Sequence, residues 1–238
     1  MGNAAPGGGG DGRAQVKPDL DWKRVFDVVA SAAGLAALGP VLVGIAAAIV
    51  AQDGGPVFYR GVRVGRGGMP FRIFKFRTMV VGAENLGGSS TAASDRRVTR
   101  IGDLIRRYKV DELPQLINVL VGDMSLVGPR PEVQRFVDLF SDEERAILSV
   151  RPGMTDWASI WNRDEGAVIE KSGIADPDEA YAQVIRPTKI RLQLKYVRDR
   201  SLATDVKLIL RTIRAVLDRS HDASDIAPPP GADPGTAR

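Results

Sequence analysis

The stretch Val28-Val29-Ala30-Ser31-Ala32-Ala33-Gly34-Leu35-Ala36-Ala37-Leu38-Gly39-Pro40-Val41-Leu42-Val43-Gly44-Ile45-Ala46-Ala47-Ala48-Ile49-Val50-Ala51-Gln52 decides how this chain is organised. No residue between Asp27 and Asp53 is charged, and the run is long enough for a membrane element. A buried core helix is the alternative. A cleavable signal peptide is disfavoured, because the run starts late and no Ala-x-Ala site follows it. Gly39 and Pro40 interrupt the run near its middle. Proline removes a helical hydrogen bond and its ring clashes with the preceding turn, so a kink or break is expected there. The legs Val25–Leu38 and Val41–Ala51 would measure about 21 and 16 Å, each too short for a hydrocarbon core of about 30 Å. Lys17, Lys23 and Arg24 precede the segment, and Arg60, Arg63 and Arg66 follow it. Basic flanks favour cytoplasmic placement of both ends, and so a re-entrant hairpin rather than a kinked spanning helix.

Outward from this segment, residues 1–18 are rich in Gly, Ala and Pro without apolar periodicity and are expected to be a disordered tail. Residues 19–54 form the expected re-entrant membrane hairpin, 55–219 a cytoplasmic domain, and 220–238 a second disordered tail. The chain of 238 residues has no cysteine, which excludes disulfides and thiolate metal sites. Its one histidine, His221, lies in the polar tail, so serine-type and zinc chemistry built on histidine has no raw material. The pI near 9.5 suits nucleic acid, an anionic membrane or a phosphorylated substrate.

The charge is concentrated. From Pro56 to Val110 there are twelve Lys/Arg against three Asp/Glu, whereas the whole chain carries only +4. Such a field attracts an anionic substrate. Directly after it comes Lys109-Val110-Asp111-Glu112-Leu113-Pro114-Gln115, with two adjacent carboxylates at an expected helix start. Asp111 is placed at or near the N-cap, with Pro114 in the first turn. Within this field the pair supplies a candidate nucleophile or metal ligand. The alternative is that Asp111 only caps the helix.

Val57–Val64 reads as a strand, Gly65-Arg66-Gly67-Gly68 as a turn and Phe71–Arg77 as the return strand. Alternation puts Phe74 and Phe76 on one face and Lys75 and Arg77 on the other, where a solvated basic face is the alternative to a binding surface. Residues 82–94 should form a mobile loop. Helices are expected at Ile101–Tyr108, Glu112–Leu120, Glu132–Leu148, Pro177–Ile185 and Pro187–Arg198. A last one begins near Thr204-Asp205, with the apolar stripe Val206, Leu210, Ile213 and Leu217. The fold class is therefore α/β, mostly helical with a small β-hairpin. Aromatics interleave with cations only at Phe71–Arg77, which argues against a nucleic-acid module.

Six motifs in order resemble the bacterial sugar transferases, the monotopic phosphoglycosyl transferases that start lipid-linked glycan assembly. They are the Pro-broken apolar entry segment, Pro70–Met79, Asp95–Arg100, Asp111–Leu116, Gly122–Pro131 and Arg151–Thr155. The resemblance covers Leu20 to Arg219 and is to the minimal form of the family. It implies a monotopic membrane protein with a cytoplasmic catalytic domain on the inner (plasma) membrane. The implied reaction transfers a phosphosugar from a UDP-sugar to polyprenyl (undecaprenyl) phosphate, releasing UMP, in exopolysaccharide assembly. It also implies Mg²⁺ as cofactor and an Asp-Glu dyad. Asp111 would be the nucleophile that forms an aspartyl-phosphosugar, and a ligand of the metal; Glu112 would be its partner. Lys75, Arg77, Arg106, Pro129 and Arg130 would bind the phosphates, with a structural ion pair the alternative for Arg130. The cytoplasmic leaflet is the expected partner surface, nucleic acid is not expected, and a homo-oligomer is left open. Two departures stand out: Gly39-Pro40 replaces the usual Ser-Pro at the break, and Tyr108-Lys109 replaces small hydroxyl residues before the dyad. A catalytically silent scaffold of a glycan-assembly complex is the alternative function.

Overall fold

The computed structural model describes residues 21–86, 90–91 and 94–217, so the expected tails and His221 lie outside the described residues. The chain opens with one long helix, α1 (Asp21–Asp53), which contains Pro40. The expected division at Gly39-Pro40 into two helices is not what forms. The helix continues through the proline as one element, and its two ends are tied to the rest of the protein.

The hold runs the length of α1. Asp27, Ser31, Leu35, Leu38, Leu42, Ile45 and Ile49 recur every three or four residues and make a buried or half-buried stripe. Trp22, Val25, Val29, Val41, Val43 and Val50 on the other side are exposed. At the N-terminal end, Arg24 Nη1 and Nη2 donate to Val119 O at 2.6 Å and Leu120 O at 2.9 Å. These are carbonyls of the last turn of α3, where helical partners run out; Val119 O also accepts from Gly122 N at 3.2 Å. Lys23 Nζ pairs with Asp205 Oδ2 at 2.6 Å, and Leu126 N donates to Asp27 Oδ1 at 3.1 Å. At the other end Asp53 receives the Arg77 guanidinium, and Ile101 N donates to Gln52 Oε1 at 3.1 Å. Ile49 packs with Phe76 and Ile105.

A β-hairpin follows in two sections. Strands β1 (Phe58–Tyr59) and β2 (Val62–Val64) pair antiparallel with β4 (Lys75–Phe76) and β3 (Pro70–Arg72) respectively. The return strand is interrupted at Ile73–Phe74, where Phe74 N donates to Asn118 Oδ1 at 2.7 Å instead of to the ladder. Phe74 and Phe76 do share a face, since Phe58 meets the first edge-on and stacks on the second. A parallel pair, β5 (Ser125–Val127) with β6 (Gly153–Thr155), was not anticipated.

The remaining helices are α2 (Arg100–Arg107), α3 (Gln115–Val121), α4 (Gln134–Val137), α5 (Trp157–Trp161), α6 (Glu165–Lys171), α7 (Pro177–Ala180), α8 (Arg186–Asp199) and α9 (Leu202–Leu217). The single helix expected over Glu132–Leu148 is instead α4 plus a 3-10 stretch at Glu144–Ser149. Ser141 and Glu144 exchange capping bonds, Ser141 N to Glu144 Oε2 and Glu144 N to Ser141 Oγ, which start a new turn. In the expected mobile loop, Ala83–Asn85 form a 3-10 turn and Ser90 N donates to Asp178 Oδ1 at 2.9 Å.

Candidate active site

The site is assembled where α2, the dyad turn, β4 and the loop after β5 converge. Asp111 and Glu112 lie in a 3-10 turn, Val110–Glu112, that ends two residues before α3 begins. Asp111 therefore does not cap α3. The turn is entered through Lys109, which has a positive φ of 56°. This left-handed conformation is uncommon outside glycine and asparagine. It reverses the chain after α2 and brings the dyad against the hairpin.

Four charges interlock there. Lys75 Nζ, from β4, lies 2.9 Å from Asp111 Oδ2 and 3.2 Å from Glu112 Oε1. Arg130 forks onto Glu112, with Nη1 to Oε2 at 2.7 Å and Nη2 to Oε1 at 2.6 Å. Asp111 is 2% exposed, so it is screened from water on nearly all sides. Burial acts to raise the Glu112 carboxyl, but Arg130 and Lys75 outweigh it and hold it well below the carboxylate range. Burial likewise acts to lower Lys75, and Glu112 and Asp111 reverse that, so its ammonium is held more tightly than usual. Both dyad carboxylates are thus neutralised by two permanent cations.

Two further cations surround this balanced set. Lys109, though exposed as a residue, is brought down from its ordinary value by partial desolvation beside the dyad, within the fields of Glu112, Arg130, Asp111 and Lys75. Arg106 is also lowered by burial, against the charge of Asp111, and its Nε donates to Thr78 Oγ1 at 2.8 Å. The dyad's two negative charges are met by Lys75 and Arg130, leaving Lys109 and Arg106 as an excess of two for an incoming anion.

The sequence profile described as bacterial sugar transferase matches residues 19–219. The chain belongs to the bacterial sugar transferase family. It is 38% identical over 198 residues to the UDP-glucose:undecaprenyl-phosphate glucose-1-phosphate transferase of Caulobacter vibrioides, covering 82% of this chain and 69% of that one. It is 36% identical over 200 residues to the UDP-N-acetylgalactosamine-undecaprenyl-phosphate N-acetylgalactosaminephosphotransferase of Aeromonas hydrophila, covering 82% and 43%. An exopolysaccharide production protein of Sinorhizobium fredii is 33% identical over 209 residues, covering 82% and 84%. The chain thus spans less than half of the Aeromonas relative but most of the other two.

Within this family member the structure brings together Asp111, Glu112, Lys75, Arg106 and Arg130. Pro129 adjoins them, its carbonyl accepting from Gly153 N at 2.9 Å. Arg77 does not join them. Although alternation predicts a face shared with Lys75, Arg77 follows the end of β4, its side chain is 7% exposed and its guanidinium is committed to Asp53, with Nε donating to Pro56 O at 2.7 Å. It fastens the end of α1 to the hairpin. Gly39 and Pro40 are remote from the dyad in sequence and lie within α1. Sequence reasoning missed Asp156, Gln193 and Thr78, which hold Arg130 and Arg106 from behind. Thr78 lies within the Pro70–Met79 motif but carries no charge to single it out, and no short-range motif marks Asp156 or Gln193, since each acts through a contact distant along the chain.

Proposed function

We propose that this protein transfers a phosphosugar from a UDP-sugar to undecaprenyl phosphate, through a covalent intermediate on Asp111. The observation that carries the reading is the dyad, Asp111 buried and Glu112 half-buried, with each carboxylate paired to a cation and two more cations beside it. A carboxylate must be anionic to attack, and attack on an anionic diphosphate requires the repulsion to be cancelled. In the first step an Asp111 oxygen bonds to the β-phosphorus as the bond from that phosphorus to the bridging oxygen breaks, and UMP leaves. In the second, an oxygen of the lipid phosphate bonds to the same phosphorus and the aspartyl carboxylate departs. Arg130 and Lys75 orient Glu112 beside Asp111 throughout, while Lys109 and Arg106 face the diphosphate.

Magnesium fits this site in one respect. Mg²⁺ is commonly held by one or two carboxylates together with phosphate oxygens, and Asp111 offers such a ligand. Among the described residues no cluster of three acidic or histidine ligands exists, so substrate oxygens would supply much of the coordination. When bound, the ion adds to the neutralisation of the diphosphate.

The same reading places the protein on the cytoplasmic face of the inner membrane, with α1 lodged in the near leaflet and both its ends on that face rather than on opposite sides. Two observations support that topology. Both ends of α1 are tied to the same domain, and an 18-residue window with mean hydropathy 2.3 has only 6% of its residues buried. The reaction is tested by supplying membranes bearing the protein with undecaprenyl phosphate and a panel of UDP-sugars while measuring UMP. Wild type should release UMP with at least one donor and Asp111→Asn with none. UMP release at the wild-type rate by a folded Asp111→Asn protein overturns the assignment.

A further inference from the structure

Lys189, Gln193 and Tyr196 stand at i, i+4 and i+7 on α8, so they share one face. That face is buried, and its three polar groups meet successive points of the segment that carries Arg130. Tyr196 Oη donates to Val127 O at 3.0 Å, Gln193 Nε2 to Arg130 O at 3.4 Å, and Lys189 Nζ pairs with Glu132 Oε1 at 2.6 Å. Gln193 Nε2 also donates to Asp156 Oδ2 at 3.2 Å, and that oxygen accepts Arg130 N–H at 3.3 Å. Both backbone polar groups of Arg130 are therefore held by side chains. The flanking prolines supply the reason: neither has an N–H, so the pairing of β5 with β6 cannot be extended regularly through Pro129-Arg130-Pro131. Asp156 is itself fixed, since its Oδ1 accepts from Ser159 N and Oγ, each at 2.7 Å. Gln193 and Asp156 are both 0% exposed, so no water competes freely for these bonds.

We infer that Gln193 is a positioning residue for phosphosugar transfer, acting with Asp156 as a clamp on the Arg130 backbone. The clamp sets where the Arg130 guanidinium meets Glu112, and Glu112 adjoins the attacking carboxylate. Its kinetic consequence rests on the proposed reaction; its structural consequence does not. A displacement of about 1 Å in such a constellation costs on the order of a hundredfold in rate.

The test uses full-length protein carrying Gln193→Met, which keeps the length of the side chain and removes its donors, and Gln193→Glu, which keeps its shape. Each is measured for thermal melting, for hydrogen exchange in a peptide spanning residues 126–133, and for single-turnover UMP release. The same two substitutions are also made in an Arg130→Lys background. Folded Gln193 variants should exchange faster over 126–133 and release UMP at least about tenfold more slowly than wild type. In the Arg130→Lys background the further loss should be less than about twofold, because the group being positioned is already altered. Equal losses in both backgrounds, or wild-type rates, overturn the inference. If wild type releases no UMP from any donor, the reaction itself is wrong, and unchanged exchange over 126–133 would then reject the clamp separately. Should both variants fail to fold, Asp156→Asn, which retains an oxygen for capping α5, is judged by the same readouts.

Discussion

At Arg130 the two terminal guanidinium nitrogens engage both oxygens of Glu112, a geometry that a lysine ammonium cannot reproduce. Arg130→Lys keeps the charge and loses the fork, so turnover should fall by about tenfold or more with little change in melting temperature. Steady-state kinetics over a range of donor concentrations check this; wild-type values would make the fork dispensable. Lys109 makes a different demand. It is exposed as a residue, and partial desolvation beside the packed dyad lowers its ammonium, so its positive charge is present at neutral pH and is lost as pH rises through a value below the ordinary 10.5. Donor KM should therefore rise on the alkaline side earlier than a lysine at its ordinary value would cause. Lys109→Arg, always charged, should move that limb to higher pH. A limb at the same pH in both proteins would remove Lys109 from the diphosphate field.

At the scale of elements, the short parallel pair β5–β6 places the Arg130 loop. An added Cβ at Gly153 would lie 2.0 Å from Gly128 N and 2.3 Å from Gly128 O, both backbone atoms that cannot swing aside. Gly153→Ala should therefore lower the melting temperature markedly and abolish UMP release, by pushing the loop away from Glu112. Thermal unfolding together with the activity assay checks it, and a stable, active variant would refute the packing account. The pair also marks a limit of sequence reading. Residues 128–152 lie between its strands, and nothing local in Ser125–Val127 specifies a partner. The dyad stood out in the sequence as two carboxylates within a cationic stretch, whereas Lys75, Arg106 and Arg130 were marked as phosphate binders only by the resemblance; the structure gathers all five, Lys75 and Arg130 in contact with the dyad. Arg77 was misplaced for a physical reason: alternation places a side chain on a face but does not say which anion beyond that face will claim it. Asp53, some two dozen residues earlier, claims it. Gln193 and Asp156 were invisible on the same ground, since their roles exist only once α8 is laid against the Arg130 segment.

For the whole molecule, the position of α1 matters most. A helix of 33 residues would be about 50 Å long if straight, enough to cross a bilayer. Yet its buried stripe runs along the domain from Asp27 to Ile49, and its outward face is apolar. A spanning helix would leave one end far from the domain. The native lack of cysteine permits single introduced thiols, Ala5→Cys in the N-terminal region and Asp142→Cys in the domain. In intact cells a membrane-impermeant thiol reagent should label neither, and after permeabilisation both. Labelling of Ala5→Cys alone in intact cells would establish a span. The chemistry at the centre of the account is tested most directly by the intact mass of the purified protein after incubation with a UDP-sugar and no lipid acceptor. Wild type should gain the mass of one phosphosugar on Asp111 while releasing an equal amount of UMP, and undecaprenyl phosphate should then discharge it. UMP release that requires the lipid, with no mass gained at Asp111 at any time, would contradict the account.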